Sequence, residues 1–201
     1  LSWLSVSARV KYTYSTEDHP SSGSNGWSGI SAYGGQMKND LRPIMPVKHP
    51  DGNWSGQGNF TNPFAVGAGG GSDKRKVNDL WLTGNIDIHP LKNLSIKGDF
   101  TFNPYSWNRD LYARTFTEIW ANGSDTYPWS NPNSERLENN NDYYTAINAY
   151  VNYSLKFGKS NFKILAGYNQ EKKKLKSFSA KREGLINNDL PAINRAIGQQ
   201  Y

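Results

Sequence analysis

The sequence has 201 residues, of which 36% are hydrophobic and 13% aromatic, with a formal net charge of +6 and a mean hydropathy of −0.76. No stretch approaches the roughly 20 consecutive apolar residues of a transmembrane helix. The absence of Cys excludes disulfides, thiolate metal ligands and cysteine nucleophiles.

Five segments alternate between apolar and polar residues, which is the period of a β-strand. Their apolar positions begin with Leu4, Val6, Ala8 and Val10 and recur in the same pattern along the chain. We predict strands at about residues 3–15, 78–89, 94–105, 142–157 and 161–176. Each is near or above the roughly 9–11 residues that a tilted strand needs to cross a bilayer, whereas globular strands are nearer 5–6.

The connections between these strands alternate between short and long. Residues 89–93 and 157–161 read as tight turns, whereas residues 16–77, 106–141 and 177–201 read as long polar loops. This rhythm is typical of outer-membrane barrels, with tight periplasmic turns and long extracellular loops. Within the second loop, the apolar spacing of residues 109–122 predicts a short helix.

Both termini lie within patterned segments, and the N-terminus does not resemble a signal peptide. We therefore expect the chain to be part of a longer protein. The predicted fold class is all-β: about five antiparallel strands of a larger transmembrane β-barrel, with long extracellular loops and no plug domain.

Several pieces of the chain resemble one family in a consistent order. Residues 78–100, NDLWLTGNIDIHPLKNLSIKGDF, are similar to a mid-barrel hairpin of the SusC/RagA-type TonB-dependent transporters. Residues 162–171 and 184–194 are similar to later parts of that barrel, and the loop pieces 43–46 and 62–64 also resemble it. The likeness covers nearly the whole chain.

The resemblance implies a location in the outer membrane of a Gram-negative, Bacteroidetes-type bacterium. It implies active import of oligosaccharides, other glycans or peptides through a barrel of about 22 strands. The implied partners are a SusD-like surface lipoprotein, which caps the barrel, and the TonB complex, which supplies energy. The plug, the TonB box and the closing strand are absent from these residues, so we expect this segment to supply barrel wall and vestibule loops.

The loops are rich in aromatic residues that are candidates for contact with substrate or with the lipoprotein lid: Trp27, Tyr33, Trp54, Trp107, Trp120, Tyr127 and Trp129. Stacking on sugar rings is one interpretation, and packing of the long loops is the other. Tyr12, Tyr14, Phe102 and Tyr105 are assigned to an aromatic belt near the outer ends of the strands.

One basic cluster follows the fifth strand, where the lipid-facing register would place Lys172, Lys174 and Lys176 on the outer surface. There they could pair with lipopolysaccharide phosphates, or they could be solvated lysines of a strand extension. Nucleic-acid binding is not favoured, because no recognised module surrounds the cluster.

Nothing in the sequence indicates catalysis. The glycine-rich residues 67–71 lack the Lys-Ser/Thr of a phosphate cradle and predict a flexible loop. The three histidines have no metal-ligand spacing, and no nucleophile–base set stands out. We predict no catalytic residue, no metal and no cofactor, and we expect charged residues of the polar faces, such as Arg9, Asp87 and Lys97, to bridge one another or a plug. The chief alternative to a transporter segment is a non-catalytic glycan-binding β-protein or a surface adhesin.

Overall fold

The computed structural model describes residues 3–21, 44–56, 62–120, 123 and 126–198. Within these ranges the elements in chain order are β1 (Leu4–Pro20), β2 (Trp54–Gly56), α1 (Pro63–Gly69), β3 (Gly71–Leu91), β4 (Leu94–Ala113), β5 (Phe116–Trp120), β6 (Thr126–Trp129), β7 (Ser134–Phe157), β8 (Ser160–Glu183) and a 3₁₀ turn (Ile193–Arg195). The described strands form a five-stranded sheet in the order β1-β3-β4-β7-β8 and a three-stranded sheet in the order β2-β5-β6. An all-β, mostly antiparallel fold, as predicted, is confirmed.

Each of the five predicted strands coincides with an observed strand, but the observed strands run further into the predicted loops. β1 extends to Pro20, β4 to Ala113 and β8 to Glu183, while β7 begins as early as Ser134. The apolar alternation stops before these extensions do. Polar side chains continue the ladders there, as where the Asn139 side chain donates to Asn108 across β4 and β7.

Two local predictions in the loops are wrong. Residues 109–122 do not form a helix: residues 109–113 complete β4, and Phe116–Trp120 forms β5. The Thr, Phe and Ile residues of this stretch favour a pleated backbone, and strand pairing overrides the helical spacing. Residues 67–71 do not form a flexible loop either, because Pro63–Gly69 is helical and Gly71 opens β3.

The chain divides into two compact units. The first, here called the sheet unit, comprises Leu1–Ser15, Val77–Trp107 and Asn140–Ser177. The second, the loop unit, comprises Thr16–Lys76, Asn108–Asn139 and Phe178–Tyr201. These boundaries fall within one or two residues of the boundaries drawn from the sequence between strands and loops.

In the sheet unit, hydrogen bonds show a continuous antiparallel register. The backbone N–H of His89 donates to the Trp3 carbonyl over 2.7 Å, and the Asn85 side chain donates to Ser7 Oγ over 3.3 Å. Both contacts join residues that face each other in the same alignment of β1 and β3, so the ladder has no slip between them. Among the described residues, no helix combines the length and the apolar character needed to cross a membrane.

The loop unit is organised around the buried side chain of Asn62. Its Oδ1 caps α1 by accepting from the backbone N–H groups of Phe64 and Ala65, at 3.1 and 3.4 Å. Its Nδ2 donates to the carbonyl oxygens of Val47 at 2.8 Å and Ser55 at 2.9 Å. One amide therefore joins α1, β2 and the segment before β2.

A second amide, that of Asn133, holds the segment after β8. Leu185 N–H donates to Asn133 Oδ1 over 2.6 Å, and Asn133 Nδ2 donates back to the Leu185 carbonyl over 3.1 Å. Leu185 packs with Tyr112 and Ala196 in a small buried cluster. Residues of the third predicted polar loop are thus held against Tyr112 of β4 and against Asn133, the residue before β7.

We expect Asn62→Ala to destabilise the loop unit. The substitution removes a helix cap and leaves buried carbonyls unpaired, which together cost on the order of 2–4 kcal/mol. Amide hydrogen exchange of α1 and β2 measures the loss of protection. Asn53→Ala is the matched control, because Asn53 is exposed and bonds only locally to Asp51; equal protection in both variants would contradict the role given to Asn62.

Candidate functional site

The sheet unit has one face made of apolar side chains, here called the apolar face. Its residues are widely exposed, with exposed fractions of 68% at Val10, 48% at Phe100 and 60% at Ile164. Gly84 and Gly98 interrupt these side chains and leave a shallow groove of about 400 Å³ between Ile86 and Phe100. Among the described residues of this unit only Asn103 and Ala146 are buried, so nothing in the unit covers the apolar face.

The opposite face, here called the polar face, carries a ladder of hydrogen-bonding side chains across the strands. Asn148 Nδ2 donates to Asp99 Oδ1 over 2.8 Å, and Asn169 Nδ2 donates to Asn148 Oδ1 over 2.5 Å. Asn85 and Ser7 continue the same row on β3 and β1. Every member of this row occupies a polar position of the period-two alternation.

Charged residues on the polar face pair with one another. Asp87 lies 3.0 Å from Lys97 Nζ on β4 and 3.0 Å from His89 Nε2 on its own strand. This agrees with the prediction that Asp87 and Lys97 bridge. The pairing leaves this part of the face polar but locally balanced in charge.

A cavity of about 390 Å³ opens on the polar face between β3, β4, β7 and β8. Its lining combines three aromatic residues with an amide and a charged pair: Trp81, Tyr105, Tyr144, Asn103, Asp142 and Lys173. None of these was singled out as a site residue from the sequence. Tyr105, assigned to the aromatic belt with Tyr12, Tyr14 and Phe102, instead shares the face of Asn103, two residues earlier on the same strand.

The lysines of β8 divide between the two faces. Lys173 turns to the polar face, where its Nζ lies 3.5 Å from Asp142 Oδ2. Because β8 is one unbroken strand through Ser160–Glu183, Lys172, Lys174 and Lys176 lie on the opposite side. All three are exposed, on the face where the register had placed them.

The described loop aromatics belong to two different units. Trp27 and Tyr33 lie outside the described residues, and Trp107 belongs to the sheet unit. Trp54, Trp120, Tyr127 and Trp129 lie on the three-stranded sheet of the loop unit. Tyr127 pairs through its backbone with Glu118.

The described contacts of two of these indoles are packing contacts. The ring of Trp129 stacks on Phe116 at a centroid distance of 6.4 Å and an interplanar angle of 14°. Lys48 Nζ lies 4.4 Å from the centroid of the Trp54 ring, a cation–π contact. These contacts favour packing, the second interpretation of the loop aromatics, for Trp54 and Trp129.

A carboxyl group is buried beneath this small sheet. Glu118 is 1% exposed, and its Oε1 accepts from the Asn62 backbone N–H over 2.9 Å. Burial raises the pKa of Glu118 to about 7, although the hydrogen bonds from Asn62 and from the Trp129 indole act to lower it. Among the described residues, no group of three or more His, Asp or Glu side chains is arranged to hold a metal ion.

Comparison with protein-family models finds no match, and comparison with curated proteins finds no significant relative.

Glu118 should make the loop unit more stable in acid than at alkaline pH. Its pKa of about 7 in the folded chain lies above its ordinary value of 4.5, so the folded chain holds the proton more tightly than the unfolded chain. The contribution is full below about pH 4.5 and is lost as the pH rises through about 7, on the order of 3 kcal/mol. Protection factors of β5 and α1 measured between pH 5 and pH 9 report this change.

Glu118→Gln keeps the shape of the side chain and cannot ionise, so it should flatten the pH profile. Glu17→Gln is the control, because the Glu17 side chain is 49% exposed and outside this cluster. Parallel profiles for the wild-type chain and Glu118→Gln would contradict the assignment.

Proposed function

We propose that the chain forms part of the wall and the outer vestibule of an outer-membrane β-barrel of the SusC/RagA type. Such a barrel would import oligosaccharides, other glycans or peptides with TonB-derived energy. The observation that carries the proposal is the sheet unit itself: long strands present an uncovered apolar face on one side and a hydrogen-bonded polar face on the other. That pairing suits a wall between hydrocarbon and a water-filled lumen.

The dimensions of the apolar face support its placement against the hydrocarbon of a membrane. The alternating part of β4 runs from Leu94 to Phe102, flanked by Pro104 and Tyr105. About ten residues of a strand tilted by roughly 40° span about 25 Å, which is the height of the apolar band in outer-membrane barrels. A contiguous apolar surface of this extent is rare on proteins surrounded by water.

The edges of the sheet support it as well. β1, with 17 residues, and β8, with 24 residues, are the edge strands of the five-stranded sheet. Unpaired backbone groups along edges of this length cannot be left in hydrocarbon. In the proposed barrel, further strands pair with both edges and close the wall.

The connections between the strands suggest how the proposed wall is oriented in the membrane. β3 and β4 are joined through Lys92 and Asn93, and β7 and β8 through Gly158 and Lys159. The other ends of the same strands continue into the loop unit. We assign the tight turns to the periplasm and the loop unit to the cell surface, where a SusD-like lipoprotein would dock and where lipopolysaccharide phosphates would meet Lys172, Lys174 and Lys176.

Cysteine labelling tests the location and the orientation together. The chain contains no Cys, so Ile44→Cys in the loop unit, at a position that is 80% exposed, and Lys159→Cys in a tight turn each introduce a single thiol. A bulky, membrane-impermeant maleimide added to intact cells should label the first variant. It should label Lys159→Cys only after the outer membrane is permeabilised.

The reverse pattern of labelling would invert the topology. Recovery of both variants in the soluble fraction would overturn the barrel. A glycan-binding β-protein would then become the leading interpretation.

A charge placed on the apolar face should prevent assembly, whereas the same charge one residue away should not. Phe100→Arg would put a guanidinium in the hydrocarbon, at a cost of roughly 2–4 kcal/mol near the bilayer midplane. Thr101→Arg points to the polar face, where Thr101 makes only a 3.4 Å contact with Thr83. The heat-modifiable, folded fraction in outer membranes is the measurement, and equal assembly of the two variants would contradict the assignment of faces.

A further inference from the structure

The cavity on the polar face is rich in aromatic residues, which a barrel wall does not need on its polar side. Most of this face consists of small polar and charged side chains, yet Trp81, Tyr105 and Tyr144 gather around one recess. Trp81 is 37% exposed, so burial of its side chain does not explain its position. Large aromatic surfaces kept open to solvent on a polar face are a feature of binding sites.

Two of the rings form one continuous aromatic side of the recess. The centroids of Trp81 and Tyr144 lie 6.3 Å apart with an interplanar angle of 54°, which is a tilted ring contact. Trp81 lies on β3 and Tyr144 on β7, with Asn103 of β4 between these strands. The recess therefore offers a ligand an aromatic side beside polar groups.

The polar groups of the recess are held in place. Asn103 is 8% exposed, and its Nδ2 donates to Asp79 Oδ1 over 2.7 Å and to the Leu80 carbonyl over 2.8 Å. Both amide hydrogens are thereby used, which leaves the Asn103 carbonyl oxygen to accept from a ligand. Asp142 is held by Asn140, whose Nδ2 donates to Asp142 Oδ1 over 2.8 Å.

The two charged residues of the lining pair with each other. Lys173 Nζ and Asp142 Oδ2 lie 3.5 Å apart, so neither presents an unopposed charge to a ligand, and the Tyr144 hydroxyl interacts with Glu171 beside them. A ligand with apolar faces and a rim of hydroxyl groups satisfies every part of the lining. Its C–H faces would lie against the rings, and its hydroxyls would donate to Asn103 and Asp142 and accept from Lys173.

We propose that this cavity binds one sugar ring of a neutral oligosaccharide. The volume of about 390 Å³ falls in the usual range of small-molecule sites, about 300–1,000 Å³. The inference rests on the proposed function, because a polar face turned to the lumen would place the cavity along the path of import. It adds a saccharide subsite on the barrel wall itself.

Calorimetric titration of the detergent-purified, full-length protein tests the proposal. The probes are maltohexaose, cellohexaose, xylohexaose and mannohexaose, with a neutral tripeptide as the alternative ligand. At least one oligosaccharide should bind, and Trp81→Ala and Tyr144→Ala should each weaken that binding by about tenfold, the equivalent of one lost ring contact. Trp81→Phe keeps a ring and should retain most of the affinity.

Tyr143→Ala is the matched control, because Tyr143 is the neighbour of Tyr144 on the opposite face and is 39% exposed. It should bind as the wild-type protein does. Binding of none of the four oligosaccharides, binding of the tripeptide alone, or equal affinity in Trp81→Ala and the wild-type protein would each overturn the saccharide site.

The outcomes separate the two proposals. Loss of the saccharide site while Ile44→Cys remains labelled on intact cells leaves the barrel wall in place. If the protein were recovered from the soluble fraction and still bound a saccharide through Trp81, the saccharide site would be supported and the barrel contradicted.

Discussion

The structure of the sheet unit depends on one constraint: successive side chains of a strand point to opposite faces. A shift of one residue between two strands would move every polar side chain of one strand onto the apolar face. The bonds of Asn85 with Ser7, of Asn148 with Asp99 and of Asn169 with Asn148 support the register at three strand pairs, one bond for each pair. Each bond contributes only about 0.5–1.5 kcal/mol, and a slip between two strands would forfeit the bond across that pair and also move apolar side chains to the polar face.

The loop unit is held by different means. Its centre is polar, with Asn62 and Glu118 fully enclosed, and Val66 is one of the few larger apolar side chains buried there. Such a centre is stable only while each donor and acceptor has a partner. That requirement explains why Asn62 makes four side-chain contacts. Burial in the same centre raises the pKa of Glu118 to about 7 despite a hydrogen bond from the backbone.

The sequence predicted what is local and missed what depends on pairing. The five strands follow from period-two alternation, which needs only neighbouring residues. The extensions past Ser15 and Tyr105 carry no such alternation, and only the partner strand reveals them. Arg109 shows the difference: it was placed in a helix, but it lies in β4, where its guanidinium contacts both Asp73 oxygens at 2.7 Å and Glu138 at 3.5 Å. Those partners are 36 and 29 residues away in the chain.

The cavity was also missed, although part of its signal was present in the sequence. Trp81, Asn103 and Tyr144 occupy polar positions of the alternation in their strands, and Tyr105 shares the parity of Asn103. Only the order β3-β4-β7 brings Trp81 and Tyr144 to either side of Asn103, since they are 63 positions apart (144 − 81) in the chain. An aromatic residue on a polar face adds nothing to an apolar core, and here it is not buried beneath another element. Its position is explained if this face binds a ligand that has both apolar surface and hydroxyl groups. For that reason we expect substrate contacts on the barrel wall as well as at the loops.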